Sequence, residues 1–136
     1  MNPTSTTAYE QSGLSSGELE QLTEMARRAA EAGGEQLRQH FGRLEQVREK
    51  GRSGDLVTEA DHAAEAAVLA LLEAETPQIG VLAEESGRRS RPGELEWCVD
   101  PLDGTTNYAH SYPLFGTSVG LCWRGQPLLG ALAAPG

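Results

Sequence analysis

The chain has 136 residues, 38% of them hydrophobic, with 11 Lys+Arg against 20 Asp+Glu and a formal net charge of −9. That is enough for one domain with a core of ordinary size, and the acidic balance, with no local basic face to offset it, argues against nucleic acid or an anionic membrane as partner. No apolar run approaches the ~18 residues of a membrane span and the N-terminus lacks a basic-then-apolar leader pattern, so a cytoplasmic location is expected.

Residues 1–13 are small and polar without periodicity, which predicts a disordered tail and leaves 14–136 as the folded unit. Ser15 and Glu18 have the spacing of a capping box, with Leu14 and Leu19 as a hydrophobic staple, so a helix is expected to start here. Leu22, Ala26, Ala29, Gly33, Leu37 and Phe41 recur at helical spacing, and the pattern predicts an end near Gly42. Gly33 and Gly34 each cost about 1 kcal/mol relative to alanine, so another backbone pressed close at the small residues is expected. His40 reads as a solvated last-turn residue near the negative helix end rather than a ligand. Residues 44–50 alternate weakly, as a strand or hairpin arm would, with a turn at 51–54. Thr58 then suits an N-cap with Asp61 at N3, and Ala60, Ala63, Ala64, Ala67, Val68, Leu71 and Leu72 form an apolar stripe that stops before Pro77. An acid at N3 is explained by capping alone.

Ile79 to Leu82 reads as a short buried strand that delivers Ala83, Glu84, Glu85 and Ser86 at its end. Adjacent glutamates are ordinarily just solvated, yet here they follow one apolar strand as Asp100 follows another, Trp97 to Val99. Carboxylates at the ends of neighbouring strands can converge into a metal cage. Pro101 donates no N–H, so Asp100 and Asp103 are expected on a tight turn beyond the strand end. Hard oxygen ligands of this kind suit Mg²⁺, and Gly104, Thr105 and Thr106 offer N–H groups and hydroxyls to a phosphate where a helix could start. The same residues also make plain turn chemistry. Arg88 to Pro92 is the basic cluster, read as an exposed loop with phosphate recognition as a minor alternative. Phe115 to Trp123 and Gln126 to Ala133 read as strands joined by a turn at Arg124-Gly125. Cys98 and Cys122 are expected as buried free thiols in a reducing compartment, and Tyr108, His110 and Tyr112 as loop residues.

The stretch WCVDPLDGTTNYAHSYP, 97–113, resembles the first signature of the inositol monophosphatase family of Mg²⁺-dependent, lithium-sensitive phosphatases. KGRSGDLVTEAD, 50–61, and AEES, 83–86, match further family stretches in the right order, with Ala83 and Ser111 standing where glycine is usual. The resemblance implies an α+β chain: the N-terminal half of a layered αβαβα sugar-phosphatase fold, with two long helices and a mostly antiparallel sheet. It implies hydrolysis of inositol monophosphate or a similar small sugar phosphate. By carry-over, Glu84, Asp100 and the Leu102 carbonyl hold a first ion, and Asp100 and Asp103 a second. Glu84 and a hydrogen-bonded Thr105–Asp61 pair would orient and deprotonate the attacking water, while Gly104, Thr105 and Asp103 meet the substrate. Relatives continue into a second half whose Trp-Asp signature completes the second metal site, so the chain reads as the N-terminal part of such a protein. A nucleotide 3′-phosphatase or fructose bisphosphatase of the same superfamily is the alternative, although the nucleotidase branch typically has DGTKEF where this chain has DGTTNY. A non-enzymatic alternative is a truncated remnant that only binds metal or associates, as a homodimer would.

Overall fold

Thr7 opens the first helix of the chain, its hydroxyl accepting from the Glu10 amide at 3.2 Å, and left-handed Gly13 closes it. A computed structural model describes residues 7–48, 53–110 and 113–134, and in it Ala8–Ser12 is helix α1 within the stretch expected to be disordered. The rest of that stretch, 1–6, lies outside the described residues. Helix α2, Ser16–Arg48, starts at the expected capping box: the Ser15 amide donates to Glu18 at 3.0 Å and the Glu18 amide to Ser15 at 3.1 Å. It does not stop near Gly42 but continues through the stretch read as a strand arm, as far as Arg48. His40 is therefore in mid-helix and half-buried, its Nδ1 2.8 Å from the Gln36 carbonyl, instead of a solvated end residue. Helix α3, Ser53–Glu75, begins earlier than the sequence predicts, at the third residue of the expected turn. Thr58 and Asp61 consequently lie inside the helix, and the capping explanation for Asp61 no longer holds.

The two helices pack on each other and bury mostly small residues: Ala26, Ala29 and Ala30 of α2 share one core cluster with Val68 and Leu72 of α3, and Ala60 and Ala64 of α3 share a second with Leu37 of α2. Gly33 is tightly enclosed. A Cβ there would lie 2.7 Å from Thr117 Cγ2 and 2.9 Å from Val68 Cγ2, so side chains of a strand and of α3, not a backbone, occupy the space expected to be filled.

Five strands follow: β1 Gly80–Ala83, β2 Gly87–Arg89, β3 Leu95–Asp103, β4 Gly116–Trp123 and β5 Gln126–Ala133. They form one sheet in the order β2-β1-β3-β4-β5, parallel only between β1 and β3, so the α+β class with a mostly antiparallel sheet stands. β2 replaces the start of the expected basic loop. Arg124 and Gly125 take φ of 50° and 77°, as a two-residue hairpin turn requires. Period-2 alternation divides the faces: Val81, Ala83, Trp97, Val99, Val119 and Leu121 are buried in the core cluster shared with α2 and α3. Trp97 Nε1 donates to Thr76 Oγ1 at 3.0 Å, which satisfies the buried indole. Leu82, Cys98, Asp100, Ser118 and Gly120 face the other way and keep contact with solvent. Among the described residues no helix is long and apolar enough to cross a membrane.

Candidate active site

Because β1 and β3 are parallel with Ala83 opposite Val99, Glu84, the first residue past β1, comes beside Asp100, which is still within β3. Both line a cavity of about 620 Å³ with Leu82, Cys98 and Ser118. Ala83 keeps regular pairing with both Val99 and Gly87, so the departure from glycine there brings no irregularity into the sheet.

Pro101 does not end β3 as the sequence predicts. The strand runs on to Asp103, and the ladder steps from Asp100↔Ser118 to Asp103↔Gly116, leaving one extra residue on β3 as a bulge. A proline is tolerated in such a bulge because no ladder bond is asked of its nitrogen, and its carbonyl accepts from Thr117 Oγ1 at 2.8 Å. Burial first, then the charge of Asp103, raise the pKa of Asp100 from its ordinary value. Gly104 then turns at φ 85° into helix α4, Thr105–Ala109, and a Cβ there would sit 2.7 Å from the Leu114 carbonyl. Asn107 Nδ2 donates to that same carbonyl at 2.9 Å. Tyr108, expected only as loop packing, is fully buried: its hydroxyl donates to the Leu37 carbonyl at 2.9 Å and its ring meets Phe115 edge-on at 4.8 Å. Glycine, asparagine and tyrosine thus anchor the turn, and Thr105 and Thr106 are left exposed.

Asp61 Oδ1 is buried with no hydrogen-bond partner. Burial, followed by the charges of Glu84, Glu85 and Glu65, pushes the Asp61 carboxyl up to about 6. The implied Thr105–Asp61 hydrogen bond is not made. Thr105 Oγ1 donates instead to the Leu102 carbonyl at 3.2 Å, the oxygen the resemblance assigns to the first ion. Among the described residues no three His, Cys, Asp or Glu side chains converge closely enough to hold an ion as they stand. The donor set nevertheless fits a hard divalent cation: all the candidate groups are oxygens, and crowded carboxylates with one buried oxygen unpartnered call for positive charge.

Sequence reasoning passed over Glu65. It is 4% exposed, and its carboxylate accepts from the Glu85 amide at 2.9 Å, the Ser86 amide at 3.2 Å and the Ser86 hydroxyl at 2.8 Å. The available signal was an acid set among the apolar positions Ala64 and Val68, where glutamate is rarely buried without a partner. His62 Nε2 lies 3.4 Å from Glu85 Oε2. The basic cluster is spent on structure: Arg88 pairs with Glu96 at 2.9 Å, Arg89 with Glu73 at 2.8 Å, and Arg91 donates to the Pro77 carbonyl at 3.2 Å. Cys98 and Cys122 are free and half-buried, their sulfurs 3.8 Å apart. Burial and the neighbouring Cys122 push the Cys98 thiol up to about 11, so it stays protonated at neutral pH. Ser111 and Tyr112 lie outside the described residues.

Residues 18–136 match the model of the inositol monophosphatase family. The inositol-1-monophosphatase of Synechocystis sp. is 42% identical over 123 residues, covering 90% of this chain and 43% of that protein. The fructose-1,6-bisphosphatase/inositol-1-monophosphatase of Aquifex aeolicus is 37% identical over 119 residues, 86% of this chain and 45% of that one. Among solved structures, the inositol monophosphatase from Anabaena (Nostoc) superposes with a TM-score of 0.71 at 40% identity, covering 86% of this chain and 41% of its own. The suhB protein from Bartonella henselae gives 0.72 at 30% identity, covering 85% and 44%. The chain therefore spans less than half the length of the relatives it matches. On the family model, the shared sequence and the shared fold together, the chain belongs to the inositol monophosphatase family.

Proposed function

We propose that this chain carries the cation- and phosphate-binding half of a phosphomonoesterase acting on inositol monophosphate or a similar small sugar phosphate, with Mg²⁺ as the cation. The observation that carries the proposal is the parallel pairing of β1 with β3, which brings Glu84, just past β1, beside Asp100 of β3 at one cavity. The unpartnered Asp61 oxygen beside Glu84 supports it. Glu84, Asp100, Asp103 and the Leu102 carbonyl would hold the metal, which when bound supplies positive charge to the phosphate and makes a nearby water more acidic. Glu84 orients that water. Asp61 Oδ1 is the proton acceptor for the Thr105 hydroxyl once this turns from the Leu102 carbonyl, and contact between α3 and α4 supports that pairing. A carboxyl raised to about 6 is suited to holding or releasing a proton near neutral pH. The amides of Gly104 and Thr105 at the start of α4, beside Asp103, bind the phosphate oxygens. The Aquifex relative's double name supports a site that takes more than one sugar phosphate. Half-buried free thiols fit a reducing compartment such as the cytoplasm.

The test is release of inorganic phosphate from inositol monophosphate and fructose 1,6-bisphosphate, with and without Mg²⁺. It is run on the chain alone and with the remaining half of the Synechocystis relative supplied. The chain alone should turn over slowly, because Asp100 and Glu84 stand exposed to water, and the supplied half should raise the rate. No Mg²⁺-dependent release in either arrangement, or release indifferent to Asp100→Asn, would refute the proposal.

A further inference from the structure

We infer that Glu65 is a positioning residue for Glu84, setting where that carboxylate stands relative to Asp61; the inference rests on the reading of Glu84 as a cation ligand. Glu84 itself is exposed, so its position is set by the backbone that carries it out of β1. That backbone is tied down one residue later. Both Glu65 oxygens are engaged, Oε1 by the Glu85 amide at 2.9 Å and Oε2 by the Ser86 amide at 3.2 Å and the Ser86 hydroxyl at 2.8 Å.

A 4%-exposed carboxylate is costly in an apolar stripe and is tolerated because hydrogen bonds replace its water. An apolar side chain at this position would pack against the stripe without that cost, so packing alone does not explain the glutamate. Position on the helix does. Glu65 follows Asp61 by four residues, so both lie on one face of α3. The helix that presents the orphaned Asp61 oxygen thereby also holds the segment that begins at Glu84, and the spacing between the two acids is fixed by one rigid element. After burial, the carboxylate of Glu84 acts on Asp61 more strongly than those of Glu85 and Glu65.

The experiment measures Mn²⁺ affinity of the 136-residue chain by calorimetry, with amide hydrogen exchange at Glu85 and Ser86 in metal-free buffer. Glu65→Gln keeps the shape but turns one acceptor into an N–H₂ group. It should weaken Mn²⁺ binding about ten-fold or more, the usual effect of losing a residue that orients a ligand, and should speed exchange at both amides. Ser86→Ala, at an exposed residue, removes one of the three bonds without threatening the fold, so it serves if Glu65→Gln does not fold; it should weaken binding by a smaller factor. Loss of Mn²⁺ binding in Glu84→Gln alone, with Glu65→Gln and Ser86→Ala binding as the wild type does, would overturn the inference and leave the ligand reading intact. A lower melting temperature for Glu65→Gln at unchanged affinity would likewise overturn it, since that is what packing alone produces. Unchanged binding in Glu84→Gln would overturn the ligand reading, and the inference with it.

Discussion

Replacing Asp61 by asparagine should make the metal-free chain more stable at neutral pH while damaging the site. The carboxyl is raised from 3.8 to about 6, first by burial and then by Glu84, Glu85 and Glu65, with one oxygen buried and unpartnered. In the unfolded chain the group ionises near its ordinary value, so folding binds a proton between pH 4 and 6. Stability from this group is therefore present at low pH and is lost as pH rises through about 6. At about 1.4 kcal/mol per tenfold change in proton affinity the full cost approaches 3 kcal/mol, and because the residue is only half-buried the realised cost is about 1 kcal/mol. Urea denaturation in EDTA at pH 4 to 8 is the assay. Asp61→Asn should gain about 1 kcal/mol over wild type at pH 7, gain nothing at pH 4, and remove this group's share of the decline between. A variant less stable than wild type at pH 7, or a gain that is the same at pH 4, would refute the claim that Asp61 is an uncompensated buried charge.

Gly33→Ala should destabilise by about 1–3 kcal/mol, outweighing the helix-propensity gain, since its Cβ would press at 2.7 Å on Thr117 and 2.9 Å on Val68; thermal melting measures it. With the second half supplied, Thr105→Ala and Asp61→Asn should each lower kcat more than they raise KM, and the double variant should be little worse than either; additive losses would separate the two residues. Leu132 is 61% exposed on edge strand β5, so the chain alone should associate with rising concentration in sedimentation, as far as homodimers, and Leu132→Lys should suppress it.

Local chemistry was legible wherever it was strong. The capping box, the two apolar stripes and the Arg124-Gly125 hairpin were readable because each rests on contacts a few residues apart. Helix bounds were less so: weak alternation over 44–50 competes poorly with continuation of a long helix, which adds a hydrogen bond for each residue fixed. Pro101 misled because its strand-breaking effect assumes regular pairing, and a bulge removes the demand for its N–H. At the site, the residue types Glu84, Asp100, Asp103 and Thr105 could be singled out, but not their partners. Thr105 bonding to Leu102 and Glu65 holding Ser86 depend on how α3 lies against the ends of β1 and β3, and no spacing along the chain encodes that.

The claim that Glu84, Asp100 and Asp103 form a hard-cation site is tested most directly by melting the chain with increasing Mg²⁺. The melting temperature should climb with Mg²⁺ in the wild type, because a ligand bound only by the folded form stabilises it, and should stay flat in Asp100→Asn, whose amide is a poor ligand for a hard cation. The same climb in both proteins would contradict it.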